Sequence, residues 1–205
     1  MKLYSHPVST NARKARLTAH HLGIAFEEQM VDLKNGEQRT PAFLAKNPNG
    51  KVPVLDDDGF VLWESNAICQ YLCAQVPGNS LFPTDARARA DINRWQSWEL
   101  AHLGPAISKV IYQKFIKQIL GLGAPDEAIV KQGEEEFARF GAVLNAALEG
   151  RRFLLGDSLT IADFTVAPNV ALGRRVGLEP GHQVVAWLDR LAELDAWKRT
   201  EPPQR

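Results

Sequence analysis

The rhythm of apolar and polar positions changes partway along this chain. Lys2-Leu3-Tyr4 predicts a short strand, and over residues 11–22 Ala12, Ala15, Ala19 and Leu22 recur at helical spacing, with Arg13, Lys14 and Arg16 outside the stripe. Gly23 then supplies a helix stop. Residues 26–31 predict a second strand, parallel to the first through a right-handed crossover. Pro41 opens a short helix over 41–45. Val52-Pro53-Val54-Leu55 and Phe60-Val61-Leu62 flank Asp56-Asp57-Asp58-Gly59, a strong hairpin signal. A helix over 64–75 completes the order β-α-β-α-β-β-α, that of a thioredoxin-like α/β domain.

Turn formers crowd residues 77–83, from Pro77-Gly78-Asn79-Ser80 to Pro83, and place a domain boundary there. Beyond it every periodic segment is helical. A long amphipathic helix covers 85–120, with Gly104-Pro105 expected to kink or split it. A second covers 126–148. A third starts at Thr160, with Asp163 three residues on as a capping box and Leu159 and Phe164 placed as a hydrophobic staple. A last helix covers 183–194, and the tail from Glu201 is expected to fray. The expected division is therefore a thioredoxin-like domain at 1–77 and an all-α domain at 85–205.

Composition narrows the functional classes. The 205 residues carry 24 Lys plus Arg against 24 Asp plus Glu, whereas nucleic-acid and anionic-membrane binders concentrate a basic excess. No run is long and apolar enough for a membrane span, and the start, MKLYSHPVS, lacks a signal-peptide core, so a cytoplasmic location is expected. Cys69 and Cys73 sit four residues apart, a spacing that suits buried reduced side chains on one helix better than a redox CxxC. His6, His20 and His21 lack metal-ligand spacing, and no metal is expected.

Candidate chemistry gathers in the first domain. Ser9-Thr10-Asn11 stands at a helix start, where free backbone N–H groups and the helix dipole favour an anion. Ser9 serves there either as a cap alone or as a donor to a bound thiolate, with the Asn11 amide as a second donor. Asn49-Gly50-Lys51-Val52-Pro53-Val54 puts a proline at the head of a strand. If its peptide bond is cis, Val52 turns its backbone outward to pair with a peptide-like ligand; a trans bond simply opens the strand. Glu64-Ser65 opens the next helix, either as capping or as a cradle for an α-amino acid headgroup, its carboxylate on Ser65 and the N–H groups, its ammonium on Glu64.

Taken in order, these segments resemble the glutathione transferase family. The resemblance runs through Leu3-Tyr4-Ser5-His6-Pro7, then Ser9, Asn11 and Arg13, then Asn47-Pro48-Asn49-Gly50-Lys51-Val52-Pro53-Val54-Leu55, then Leu62-Trp63-Glu64-Ser65-Asn66-Ala67-Ile68-Cys69-Gln70-Tyr71-Leu72. Leu159-Thr160-Ile161-Ala162-Asp163-Phe164 looks like that family's folding motif, so the likeness spans the chain. It implies a homodimer with a glutathione-binding first domain and a helical domain that supplies the hydrophobic substrate pocket. By the same resemblance Ser9 faces the glutathione sulfur, as in serine-type, theta- or nu-like bacterial members. Val52 pairs with the cysteinyl moiety beside a cis Pro53, and Glu64 and Ser65 hold the γ-glutamyl group. Gln38 matches a loop position that reaches the glycyl end, with Arg39 and Lys51 as further positive candidates.

The implied activity is conjugation of the glutathione thiolate to a hydrophobic electrophile. Hydrogen bonds from Ser9 and Asn11 would lower the thiol pKa with no general base. Trp95, Trp98, His102 and Tyr112 on the long helix are candidates for the electrophile pocket or for plain core. The alternatives are a glutathione-dependent disulfide or peroxide reductase, or a binding module without turnover. The first loop has no cysteine, which argues against mixed-disulfide chemistry through a protein thiol.

Overall fold

Residues 1–203 are described by a computed structural model, and they fall into two packed units, Met1–Phe82 with the chain from Glu193 onward, and Pro83–Ala192. The expected second domain, 85–205, thus gives its last segment to the first unit.

The first unit is built on β1 (Lys2–Ser5), α1 (Thr10–His21), β2 (Glu27–Met30), a 3-10 turn (Glu37–Arg39), α2 (Pro41–Leu44), β3 (Val54–Asp57), β4 (Phe60–Trp63) and α3 (Ser65–Ala74). The sheet order is β2-β1-β3-β4. β2 runs parallel to β1, while β3 pairs antiparallel with both β1 and β4. This is the expected thioredoxin-like arrangement. Leu3 stands opposite Leu55 in the register, and both join Ala15, Ala19, Ile68 and Leu72 in one core. Ala12, Val31, Phe43, Val52 and Val54 form a second core, as the two-residue alternation of strands requires. Asp58 and Gly59 turn the hairpin with φ of 50° and 94°, the pair of positive angles that a right-twisted two-residue hairpin needs. After α1, Ile24 N–H donates to Ala19 O and Gly23 N–H to His20 O, which closes the helix in a Schellman motif.

The second unit contains α4 (Ala86–Trp98), α5 (Gly104–Ile111), α6 (Lys117–Leu120), α7 (Glu127–Ala147), α8 (Ile161–Arg174) and α9 (His182–Ala192). Instead of splitting at Gly104-Pro105, the chain stays helical from Ala86 to Leu120 through two π turns, Glu99–Leu103 and Tyr112–Ile116. The first π turn immediately precedes Pro105, which lacks an N–H and would crowd a normal preceding turn. Glu99 is buried beneath Gly104 and accepts a hydrogen bond from Asn169 Nδ2 on α8. A Cβ on residue 104 would lie 2.8 Å from both Glu99 O and Oε1, so glycine is required there. At the start of α8 the expected capping box is present. Asp163 also reaches beyond it, accepting from Leu154 N–H at 2.9 Å and Trp187 Nε1–H at 2.9 Å as well as from Thr160 N–H at 3.0 Å.

The chain then returns to the first unit as α10 (Asp195–Arg199). Its contact with α1 overturns the expectation of a polar outer stripe on that helix, because residues 12–19 are all buried. The Arg13 guanidinium lies 4.0 Å from the Trp197 ring centroid and donates to Trp197 O and Thr200 Oγ1. Arg16 pairs with Glu28 at 2.9 Å. The last predicted helix, 183–194, is α9 (His182–Ala192), α10 follows it where no helix was expected, and Pro202 in the expected frayed tail is buried. The remainder of that tail, residues 204–205, lies outside the described residues.

Candidate functional site

Strand register carries four loops to one edge of the sheet. Tyr4 pairs with Val54 and Val54 with Trp63, so the chain leaving β1, the chain entering β3 and the chain leaving β4 meet there. Ser5 pairs with Met30, which brings the segment after β2, with Gln38 and Arg39, to the same edge. Strand ends next to helix starts are where α/β sheets bind ligands.

Ser9 is the N-cap of α1. Its Oγ accepts from Ala12 N–H at 3.2 Å, and its own N–H donates to His6 O at 3.0 Å. Because capping uses the oxygen as an acceptor, the hydroxyl proton remains available to an anion, so the two readings of Ser9 coexist. Asn11 lies exposed on the first turn, and its Oδ1 accepts from Ser65 Oγ–H at 3.4 Å. The starts of α1 and α3 are thereby tied directly.

The Val52–Pro53 bond is cis. Asn47 fixes the preceding loop from inside, with its Nδ2 donating to Lys51 O at 2.7 Å, while the Lys51 side chain is exposed. Val52 stands just outside β3, and no backbone hydrogen bond among the described residues engages it.

Glu64 precedes α3 with φ 74° and ψ 110°, a sparsely populated conformation for a residue with a Cβ, and its side chain makes no cap bond. By contrast, side chains cap α1, α2, α4 and α7. The first N–H groups of α3 are therefore left without a side-chain acceptor from their N-cap, beside a buried Ser65. Asn66, next in line, has both amide heteroatoms buried without a partner. Sequence reading passed over Asn66, whose signal was its place in the same first turn. In the loop after β2, Gln38 Nε2 donates to Leu33 O at 3.4 Å while its Oε1 is buried unpaired, and Arg39 is exposed.

Burial pushes the Cys69 thiol up to about 11 and the Cys73 thiol to about 12, so neither side chain is a ready nucleophile. The His6 pKa is lowered by burial against the opposing pull of Asp32, and His6 Nδ1 accepts from Val8 N–H. Among the described residues no group of His, Cys, Asp and Glu is arranged to hold a metal.

The second unit holds the remaining candidates. Trp98 packs edge-on against Trp95 at 5.2 Å and Phe140 at 6.3 Å, and His102 lies 5.2 Å from Phe140. Tyr112, in the second π turn, is 47% exposed, and His102 is exposed as well, whereas Trp98 is half-buried.

The chain thus carries a thioredoxin-like unit, with a capped hydroxyl, a cis-proline loop and an open helix start, and an all-helical unit. The profile for "Glutathione S-transferase, N-terminal domain" matches residues 1–74, and that for the corresponding C-terminal domain matches residues 127–198. The chain is 35% identical to Glutathione S-transferase 3 of Zea mays, covering 98% of this chain and 92% of that one. The theta class glutathione S-transferase of Xanthomonas axonopodis pv. citri, solved with glutathione bound, superposes with a TM-score of 0.90 at 28% identity, covering 99% and 97% of the two chains. Glutathione transferase F7 of Populus trichocarpa gives 0.87 at 28%, with 97% and 96% covered. The chain belongs to the glutathione S-transferase family. No helix among its described residues is long and apolar enough to cross a membrane.

Proposed function

We propose that the protein is a glutathione transferase that adds the glutathione thiolate to a hydrophobic electrophile. The observation that carries this reading is the convergence of Ser9, Asn11, Val52 and Ser65 on one sheet edge, with Asn11 and Ser65 hydrogen-bonded. In this reading the γ-glutamyl carboxylate meets the uncapped N–H groups of α3, and its ammonium meets Glu64. Val52 pairs with the cysteinyl backbone beside Pro53. Gln38, Arg39 and Lys51 serve the glycyl carboxylate.

Ser9 and Asn11 donate to the sulfur, which favours the thiolate. The thiolate attacks the electrophilic carbon, a C–S bond forms, and the leaving group departs with its electron pair, while the thiol proton goes to solvent. Trp98, His102 and Tyr112 are the helical-domain candidates for the electrophile. A serine-type, theta- or nu-like placement, a homodimeric state and a cytoplasmic detoxifying role complete the proposal, with domains 1–77 and 85–205 contributing the glutathione and electrophile sites.

Retention on immobilised glutathione, followed by assay against an aryl halide, an epoxide, a hydroperoxide and a disulfide, tests it. Absence of glutathione binding at millimolar concentration would sink it. Turnover of the disulfide or hydroperoxide alone would replace conjugation by reduction.

A further inference from the structure

Glycine follows asparagine at two places, Asn35-Gly36 and Asn49-Gly50. In such a pair the glycine nitrogen can attack the asparagine side-chain carbonyl, and no Cβ shields that nitrogen. The two pairs are closely matched in other respects. Both asparagines are exposed and both glycines half-buried, with glycine φ of 81° and 59°. Each carboxamide donates one hydrogen bond from Nδ2, Asn35 to Asp32 Oδ2 at 2.6 Å and Asn49 to Asn47 Oδ1 at 3.0 Å. They differ in the nucleophile. Gly50 N–H donates to Asn47 O at 2.9 Å, whereas no hydrogen bond among the described residues engages Gly36 N–H. Gly50 must give up a bond before its nitrogen can turn to the side chain, and Gly36 has none to give up.

We propose that Asn35 is a site of spontaneous deamidation, and that the reaction unties Gln38 from its place in the fold. The Gly36 nitrogen gives its proton to solvent and bonds to Asn35 Cγ. The bond from Cγ to Nδ2 breaks, and ammonia leaves with a proton taken from solvent, which closes a succinimide ring. Water, the sole co-reactant, then adds to either ring carbonyl and opens the ring to aspartate or to isoaspartate, whose backbone is one methylene longer. The turn that carries Asn35 closes on itself. Asp32 Oδ1 accepts from Asn35 N–H at 3.0 Å, Asp32 O from Glu37 N–H at 3.0 Å, and Glu37 Oε2 from Asp32 N–H at 2.6 Å. Gln38 is tied to this turn through Nε2 and Leu33 O. Either product replaces a donor to Asp32 with a second negative charge, which repels it, and isoaspartate also changes the span of the turn. The consequence for binding rests on the glutathione reading above, in which Gln38 and Arg39 serve the glycyl carboxylate.

The test ages the purified protein at mildly alkaline pH, samples it over time and digests it with trypsin, which puts the two pairs in separate peptides, Asn35–Arg39 and Asn47–Lys51. In mass spectrometry the Asn35 peptide should convert from amide to acid, resolving into aspartate and isoaspartate forms, roughly tenfold faster than the Asn49 peptide, the ratio that opening one hydrogen bond gives. In denaturant the two rates should converge. Equal native rates, or Asn49 reacting first, would overturn the site. Glutathione affinity, measured by calorimetry on fresh and aged protein, should fall roughly twofold to fivefold with ageing, the scale of one exposed charge pair. Asn35→Gln, whose side chain would have to close a larger ring, should hold its affinity through ageing, and Asn35→Asp should show part of the loss when fresh. Aged protein that carries the acid at residue 35 and binds glutathione as tightly as fresh protein overturns the link to Gln38. Fresh protein that binds no glutathione at millimolar concentration takes that link down with the glutathione reading, and the peptide rates still decide the site.

Discussion

Asp163 and Trp187, 24 residues apart and both buried, share a 2.9 Å hydrogen bond that makes the start of α8 a tertiary joint as well as a cap. A capping box alone is worth roughly 0.5 to 2 kcal/mol. Removing Asp163 here also strands Leu154 N–H and Trp187 Nε1–H inside the second unit. Asp163→Ala is therefore expected to cost about 3 to 5 kcal/mol, measured as a shift in denaturant midpoint at constant slope. A loss below about 2 kcal/mol would return Asp163 to a simple cap.

Ser9→Ala removes a cap and a donor together. Stability should fall by about 1 kcal/mol, and kcat/KM by roughly tenfold to a hundredfold, the worth of one hydrogen bond to a charged group. Ser9→Asp would keep the cap and place a negative charge beside the sulfur. A variant with parental stability and far lower activity would separate the two roles in steady-state kinetics and thermal unfolding.

The contact of Arg13 with Trp197 combines a stacked guanidinium with hydrogen bonds to Trp197 O and Thr200. Arg13→Lys retains the charge but not the planar stack or the fork, and is expected to lose about 1 to 3 kcal/mol. Hydrogen exchange in α10 should rise before exchange in the sheet. Equal protection of α10 in variant and parent would contradict a clasp.

Three histidines make stability depend on acid. Burial is the largest cause lowering His6, His20 and His21, with Arg16 and Arg199 adding to it at His20, and with Asp32 opposing at His6 and Glu28 at His20. The unfolded chain titrates near the ordinary value of 6.5 and takes up protons first, so this contribution is full above that pH. It is lost as pH falls toward the lowered native values. Denaturant midpoints at pH 7.5, 6.5 and 5.5 should drop in that order, and replacing the three histidines by Gln should shrink the drop. An unchanged drop would assign it to the carboxylates.

Cys69 and Cys73 are free and buried, with thiols pushed up to about 11 and about 12. A thiol reagent at pH 8 should leave both unmodified in the native protein and react with both in denaturant. Fast native labelling would contradict their burial.

The first unit was largely legible because its signals are local. Asp58-Gly59 names its own turn, Gly23 its helix stop, and the alternation of Leu3 and Leu55 its sheet face. What escaped depends on distance along the chain. Arg13 is a polar residue in a helical pattern and reads as solvated, since its partners Trp197 and Thr200 lie more than 180 positions away. Gly104-Pro105 reads as a break, because no periodicity rule anticipates a wide turn that lets a proline continue a helix. At the candidate site, the motifs single out Ser9, Val52 and Ser65 as candidates. The direct bond from Ser65 to Asn11 and the unpaired amide of Asn66 depend on how two helix starts approach each other, and no spacing encodes that.

The return of α10 onto α1 also sets an order of completion during synthesis. The sheet and its two flanking helices leave the ribosome within the first 82 residues, yet the cover over Arg13 arrives only after Glu193. Until then the nascent first unit carries an open seam along α1. A chain stalled short of residue 193 would carry α1 unsealed beside the candidate glutathione site, and its α1 should be cut by protease more readily than in the finished chain, where α10 is docked.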